Sequence, residues 1–207
     1  MTRPAVMLAL MLGTVLTVAA PSLAQNRATV AVDGAENELS IDQHGALAAT
    51  VSVEQIGTGS TVQVVQRGAA QHAELRLEGS DHAQHVIQQG DGANRLFAEV
   101  AGSAHAMTID QFALVGGANV ATVVQGGSAN NAVVTQMAEA GAINTILLEQ
   151  FGTGNAADLT QHGSGNNMAL TQVNDDNQAT LVQIGDGLSL AIAQDGGGSI
   201  AVTQTGS

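Results

Sequence analysis

A glutamine returns about every eleven residues along this chain, and that period limits the possible folds more than any other feature. The repeating unit reads Asn-x-Ala-x-Val-x-Gln-x-Gly, and Asn119–Gly127 and Asn177–Gly185 are its clearest copies. Sixteen copies follow one another between Asn26 and Gly206. A period this short and regular predicts an array of small identical structural units.

Two positions of the unit have a nearly constant character. The position two residues before the glutamine is aliphatic or alanine in every copy, so it is predicted to be buried. Polar and small residues alternate with it, and this period of two is typical of a β-strand. Thirteen of the sixteen glutamine positions hold Gln and the others hold Val32, Leu77 and Val100; the thirteen are Gln43, Gln55, Gln66, Gln88, Gln111, Gln125, Gln136, Gln150, Gln161, Gln172, Gln183, Gln194 and Gln204.

The unit length defines how the strands connect. Eleven residues hold about seven residues of strand and four of turn, which is too short for a helical crossover. Only the steps from Gln111 to Gln125 and from Gln136 to Gln150 reach fourteen residues. We therefore predict an all-β fold, a β-solenoid of stacked two-strand coils built from about sixteen 11-residue units. Stacking would place the inward glutamines above one another, where their amides can form a hydrogen-bonded ladder.

Glycine follows the glutamine by two residues in most units. This position is the exit of the predicted strand, where a tight arc requires a positive φ that glycine adopts without strain. The turn glycines predicted on this basis include Gly45, Gly57, Gly68, Gly127, Gly152, Gly163 and Gly185.

The first residues have the composition of an export signal. Arg3 precedes an apolar run from Val6 to Ala20, and the small residues Ser22 and Ala24 follow it. This order predicts a signal peptide over residues 1–24 and a mature repeat domain over residues 25–207. The run is shorter than the roughly 20 apolar residues of a transmembrane helix, and no later segment reaches that length. We expect a secreted protein that does not span a membrane.

Composition excludes several kinds of stabilisation and several partners. The chain has no cysteine, so disulfides cannot stabilise it. Three phenylalanines are its only large aromatic residues, so stacked ladders and small aliphatic side chains have to carry the fold. Without residues 1–24 it keeps four arginines and eighteen acidic residues, a net charge of −14. Such a charge disfavours nucleic acid as a partner, because phosphate binding requires clustered lysine and arginine.

Sites for metals, cofactors or catalysis have little support in the sequence. The six histidines are scattered, and His82 and His85 share no ladder, so we expect them to be solvated instead of holding a metal. Asn174–Asn177 lacks the glycine-rich repetition of calcium-binding β-rolls and predicts a turn. No Ser, His and acid arrangement follows a known motif. We expect no metal, no cofactor and no enzymatic activity.

One repeated pattern resembles a known family. Gln125-x-Gly127-x-x-Asn130-x-Ala132-x-x-x-Gln136 is similar to the curlin repeat of bacterial curli subunits, and related copies cover nearly the whole mature chain. The resemblance implies an extracellular functional amyloid, a pilus-like or fimbrial fibre that serves cell adhesion and biofilm matrix formation. It also implies two partners besides the chain itself, a fibre nucleator and an outer-membrane secretion channel. The absence of Arg and Lys after residue 187 favours the major subunit over the nucleator.

The ends of the repeat array and the outward acidic residues bear on assembly. Neither end of the repeat array resembles the cap of a natural solenoid, so we expect copies to add head to tail into a homopolymer. Acidic residues at outward strand positions are interpreted either as gatekeepers against premature aggregation or as an ordinary solvated face. These residues are Asp42, Glu54, Glu74, Glu99, Asp110, Glu149 and Asp158.

A monomeric binding solenoid or adhesin is the main alternative. An ice-binding surface would present a regular outward column of threonines, but the column that begins Thr29, Ser40, Ser52 soon becomes irregular. A carbohydrate-binding surface would present aromatic platforms, which are nearly absent. Regularity is confined to the inward columns, and this favours a chain whose function is to stack.

Overall fold

The computed structural model describes residues 15–19 and 26–206. The predicted signal peptide, residues 1–24, lies outside this part of the chain except for one short strand, and it stays a prediction. The described residues form two parallel β-sheets, and successive strands of the chain alternate between them.

The first sheet contains the odd-numbered strands, stacked in chain order, and is called the odd sheet below. Its strands are β1 (Val15–Ala19), β3 (Glu38–Asp42), β5 (Thr61–Gln66), β7 (Ala83–Gln89), β9 (Ala106–Ala113), β11 (Asn131–Ala138), β13 (Ala156–Gly163), β15 (Gln178–Ile184) and β17 (Ser199–Thr205).

The second sheet contains the even-numbered strands, also stacked in chain order, and is called the even sheet. Its strands are β2 (Arg27–Asp33), β4 (Thr50–Thr58), β6 (Gln71–Ser80), β8 (Ala93–Ser103), β10 (Ala118–Ser128), β12 (Ile143–Thr153), β14 (Asn167–Val173) and β16 (Ser189–Asp195).

Each coil consists of one even strand and the odd strand that follows it. Strands pair in parallel with the strand two positions further along the chain, so Gln161 lies beside Gln183 in one pairing and Gln111 beside Gln136 in another. The separation is 22 residues in the first case and 25 in the second, because the second coil contains a longer arc. The predicted β-solenoid of two-strand coils is confirmed.

The core lies between the two sheets. Its side chains come from the aliphatic positions that precede each glutamine, and Leu148, Leu159 and Leu170 are fully buried there. A single coil has no second layer to cover its apolar face, so neighbouring coils have to stack for the face to be buried. Strands within the stack alternate buried and outward residues, as in β11, whereas β2, β16 and β17 at the two ends have no fully buried residue.

The strand β1 occupies the N-terminal end of the odd sheet. It pairs in parallel with β3, with Val15 opposite Glu38 and Ala19 opposite Asp42. The odd sheet therefore begins with a strand taken from the predicted signal peptide.

Candidate assembly site

The glutamines of the odd sheet form one uninterrupted column, called the odd column. Each Nε2 donates a hydrogen bond to the Oε1 of the glutamine in the next coil, over 2.8–3.0 Å. The bonds all run in one direction along the stack, from the N-terminal coil to the C-terminal coil. The members are Gln43, Gln66, Gln88, Gln111, Gln136, Gln161, Gln183 and Gln204.

The same amides also connect the two sheets. Each odd-column Nε2 donates a second hydrogen bond to a backbone carbonyl of the even strand in its own coil, for example Gln88 to His72 at 2.7 Å and Gln161 to Thr145 at 3.0 Å. Both N–H groups and the carbonyl oxygen of an interior glutamine are therefore used. A buried amide that lacked these partners would cost about 1–3 kcal/mol.

The glutamine position of the even sheet forms a second column, the even column, which is interrupted. Gln125, Gln150, Gln172 and Gln194 are linked by bonds of 2.8–2.9 Å. Its other members are Val32, Gln55, Leu77 and Val100. Gln55 therefore lies between the aliphatic residues Val32 and Leu77, and its Nε2 donates to Asn37 Oδ1 instead, at 2.9 Å.

These interruptions leave two polar atoms without partners. The Oε1 atoms of Gln55 and Gln125 are buried and accept no hydrogen bond. In each case the residue one coil earlier, Val32 or Val100, has no N–H to donate from its side chain. The unsatisfied oxygens thus lie where an aliphatic residue precedes a glutamine in the column.

The seven predicted turn glycines all have a positive φ, between 68° at Gly45 and 135° at Gly57. Most are also confined by the next coil, since a Cβ on Gly127 would lie only 2.2 Å from the carbonyl oxygen of Gly152. Alanine occupies the same position at Ala113 and Ala138, where the longer arcs follow and φ is not positive. A longer arc therefore removes the need for glycine.

Two histidines form a buried stack that the sequence interpretation missed. His82 and His105 are 1% and 0% exposed, so the expectation that His82 is solvated is wrong. Their rings lie 5.4 Å apart between centroids and within 10° of parallel. Both occupy the strand-entry position six residues before a glutamine, which is asparagine in many other units, and counting back from Gln88 and Gln111 would have found them.

The surroundings of this pair keep the rings neutral. The backbone N–H of Asn130 donates to Nδ1 of His105, and Nε2 of His105 lies 3.1 Å from the carbonyl of Ala101. Burial lowers the pKa of both His82 and His105 below the usual value of 6.5, and the Asp81 carboxylate opposes this only in part at His82. By contrast, His85 lies on the outer face, where its Nδ1 is 2.8 Å from Gln63 Oε1.

The acidic residues proposed as gatekeepers lie on the outer faces of both sheets. Glu54, Glu99 and Asp110 are exposed. Asp42 lies 3.8 Å from Arg67, and Glu149 accepts a hydrogen bond from the hydroxyl of Thr171 at 3.1 Å. Positions such as these agree with both interpretations, a gatekeeper and a solvated face.

The two ends of the odd column are chemically different. At one end Gln43 Oε1 accepts no hydrogen bond from any described residue. At the other end Gln204 Nε2 donates to Ser189 O, but no described glutamine lies beyond it to accept from its second N–H. The aliphatic residues of the end strands, among them Val30, Ile192 and Val202, pack on the core but stay partly exposed.

Other kinds of site are not evident in the described part of the chain. Residues 26–206 bring together no group of three His, Cys, Asp or Glu side chains able to hold a metal ion. Nor do the described residues include a helix of the length and apolarity needed to cross a membrane.

Comparison with known families agrees with this geometry. Residues 141–173 match the curlin associated repeat. This segment of the chain carries a curlin-type repeat. The matching segment contains β12, β13 and β14, and in it the strand-entry positions are asparagine and the column positions are Gln150, Gln161 and Gln172. No curated protein and no solved structure gave a significant match to this chain. The curlin associated repeat is a structural, not an enzymatic, family.

Proposed function

We propose that this chain is the secreted subunit of curli-like extracellular amyloid fibres, which act in cell adhesion and biofilm matrix formation. The observation that carries the proposal is the polarity of the odd column: among the described residues, Gln43 Oε1 at one end accepts no hydrogen bond, and Gln204 Nε2 at the other end has an N–H without a glutamine acceptor. Head-to-tail stacking joins donor to acceptor, whereas two identical ends placed together pair donor with donor or acceptor with acceptor.

The in-register pairing defines the joint. Continuing the stack places β17 of one copy on β3 of the next, with Ser199 opposite Glu38 and Gln204 opposite Gln43. It places β16 on β2, so that Ile192 covers Val30. Partly exposed aliphatic residues at both ends thereby become buried. The backbone hydrogen bonds of each sheet also continue from one copy into the next. An interface that joins unlike ends propagates as a filament.

Removal of the predicted signal peptide has a specific role in this proposal. The strand β1 pairs with β3 at the place that β17 of a neighbouring copy would take. Cleavage after residue 24 would free that edge at the time of export. The proposed partners are further copies of the chain, a nucleating subunit and an outer-membrane secretion channel, and the resemblance to curli subunits supports the last two.

Assembly of purified residues 25–207 at neutral pH tests the proposal. We expect thioflavin-positive fibres that give reflections near 4.7 Å and about 10 Å. Val202→Lys should fold but fail to grow, because it buries a charge in the joint. A small fraction of this variant should also stop wild-type growth, since its N-terminal end still docks.

Thr203→Lys is the matched control for this experiment. Thr203 is the next residue of β17 but is exposed on the outer face, so its substitution should leave growth unchanged. A wild-type chain that stays a folded monomer, even with preformed fibres added, would overturn the fibre proposal. That result would favour a monomeric binding solenoid.

A further inference from the structure

The two longest arcs of the solenoid lie on adjacent coils and form one apolar ridge. The first arc follows β9 and the second follows β11, and their flanking residues Phe112 and Met137 are direct neighbours in the odd sheet. The exposed fractions are 38% for Phe112, 45% for Leu114, 68% for Val115, 41% for Met137 and 59% for Ile143. These five side chains are called the ridge below.

The ridge has a defined shape. The backbone N–H of Gly117 donates to Leu114 O over 2.8 Å, and the equivalent bond of the second arc joins Ala142 N to Glu139 O over 3.3 Å. Leu114 N also donates to Ala138 O of the next coil over 3.0 Å. Both arcs therefore adopt the same turn and lie stacked one upon the other.

Charge distinguishes the ridge from the rest of the surface. Segments 112–118 and 137–143 contain one ionisable side chain, Glu139, in a chain whose net charge is −13. A second copy that approached most other faces would meet acidic side chains and be repelled. Two copies that met ridge to ridge would bring few charges together and would bury apolar surface.

The area of the ridge determines whether it can hold two monomers together. The five exposed fractions correspond to roughly 400–500 Å² of apolar surface, the size of the largest patch on an ordinary monomer. A stable pair of proteins buries about 800 Å² on each partner, so one ridge is too small to hold two monomers together. A stack of eight-coil subunits repeats the ridge about every 40 Å, so contacts between two filaments add along their length.

We infer that the ridge is the lateral docking surface between two filaments of this chain. The inference rests on the proposed fibre function and adds to it the face through which fibres pair. Pairing follows polymerisation, because only a filament presents enough ridges. It also strengthens as salt is raised, because screening reduces repulsion between the acidic faces while apolar contact persists.

The double variant Leu114→Ser with Val115→Ser tests the inference, because both side chains are exposed and their loss leaves the core intact. Leu47→Ser is the matched control, since Leu47 is 59% exposed on an arc of the same edge but belongs to an earlier coil. We expect equal rates of fibre growth by thioflavin fluorescence in all three chains. Electron microscopy should show paired or bundled filaments for the wild type and Leu47→Ser, and at least tenfold more single filaments for the double variant.

Three results would overturn the inference while leaving the fibre proposal intact: wild-type filaments that remain single at raised salt, bundling unchanged in the double variant, or equal loss of bundling in Leu47→Ser. Single wild-type filaments whose adsorption to polystyrene is lost in the double variant would assign the ridge to surface adhesion instead. Absence of wild-type fibres would overturn both proposals together.

Discussion

The odd and even columns occupy the same position of the same repeat, yet they differ in continuity. The odd column is glutamine in all eight coils, and each interior amide there has partners on both sides. The even column contains three aliphatic residues, and all of these lie in its first four coils. The fold thus accepts either an amide or an aliphatic side chain at this position.

What the structure does not accommodate without cost is the boundary between the two kinds of residue. An aliphatic neighbour on the donor side leaves the next glutamine with an unsatisfied oxygen, as at Gln55 and Gln125. A run of glutamines has one such boundary however long it is. A continuous run therefore leaves fewer unsatisfied oxygens than an alternation of glutamine and aliphatic residues. The energetic unit of this solenoid is therefore the run of amides, not the single glutamine.

The largest expected effect comes from interrupting the odd column. Gln136→Leu removes the acceptor of Gln111 and the donor to Gln161, and we expect it to destabilise the monomer by about 3 kcal/mol, because it leaves buried polar groups unpaired. The urea midpoint of freshly purified monomer measures this change. Leucine is a fair replacement because Leu77 is buried at the equivalent even position.

Gln55→Leu is the matched substitution in the even column. It removes an oxygen that has no partner, and Asn37 Oδ1 keeps its hydrogen bond from the backbone N–H of Ser60 at 3.1 Å. We expect a change within about 0.5 kcal/mol. Equal destabilisation by Gln136→Leu and Gln55→Leu would show that the continuity of a column has no energetic weight.

A smaller effect, of opposite sign, is expected from completing the even column. Val100→Gln alone gives Gln125 Oε1 a donor but creates a new unsatisfied oxygen at position 100, so its net effect should be near zero. Adding Leu77→Gln supplies that oxygen with a donor in turn, and Gln55 can donate to the new amide. The double variant should gain about 1 kcal/mol relative to the sum of the single variants.

A double-mutant cycle on the urea midpoint measures this coupling. Purely additive single effects would contradict the view that the amides act as a run. A destabilised double variant would instead indicate that glutamine overfills this part of the core.

The smallest expected effect concerns pH and the first half of the stack. His82 and His105 are buried and neutral when folded, with each pKa lowered below 6.5, so the unfolded chain binds more protons as pH falls through that value. Stability should therefore be constant above about pH 7 and decrease as the pH falls below 6.5. Replacing both residues with asparagine, which occupies this position at Asn130 and Asn155, should remove that part of the decrease.

The difference between wild type and His82→Asn/His105→Asn at pH 7.5 and pH 5.5 isolates the histidine effect, because carboxylate titration is common to both chains. Parallel pH profiles for the two chains would contradict it.

The period of the sequence was sufficient to predict the solenoid, because an eleven-residue unit with a period of two has few other ways to bury its aliphatic positions. It also predicted which glutamines face inward. It could not predict the unsatisfied oxygens of Gln55 and Gln125, because these depend on the direction in which the amides donate. His82 and His105 occupy the strand-entry position that counting back from Gln88 and Gln111 locates, but a polar residue there does not by itself indicate burial, so their burial was not predicted.

The sequence predicted only part of the ridge. The two fourteen-residue steps at Gln111 and Gln136 marked where the arcs are longer, but not that they stack on adjacent coils of one edge. That adjacency follows from two arcs per coil, which brings units separated by 25 residues into contact. Contacts between such units are predicted by the strand topology and not by the repeat alone.

The hydrogen bonds from the odd column to the opposite sheet have a further consequence for a chain without cysteine. They join the two sheets of a coil across the interior, as disulfides do in many exported proteins. Unlike a disulfide, such a cross-link forms and breaks with folding itself. It needs no oxidant, has no wrong thiol to pair with and is unaffected by a reducing agent, so the redox state of the surroundings has no influence on how this solenoid is held together.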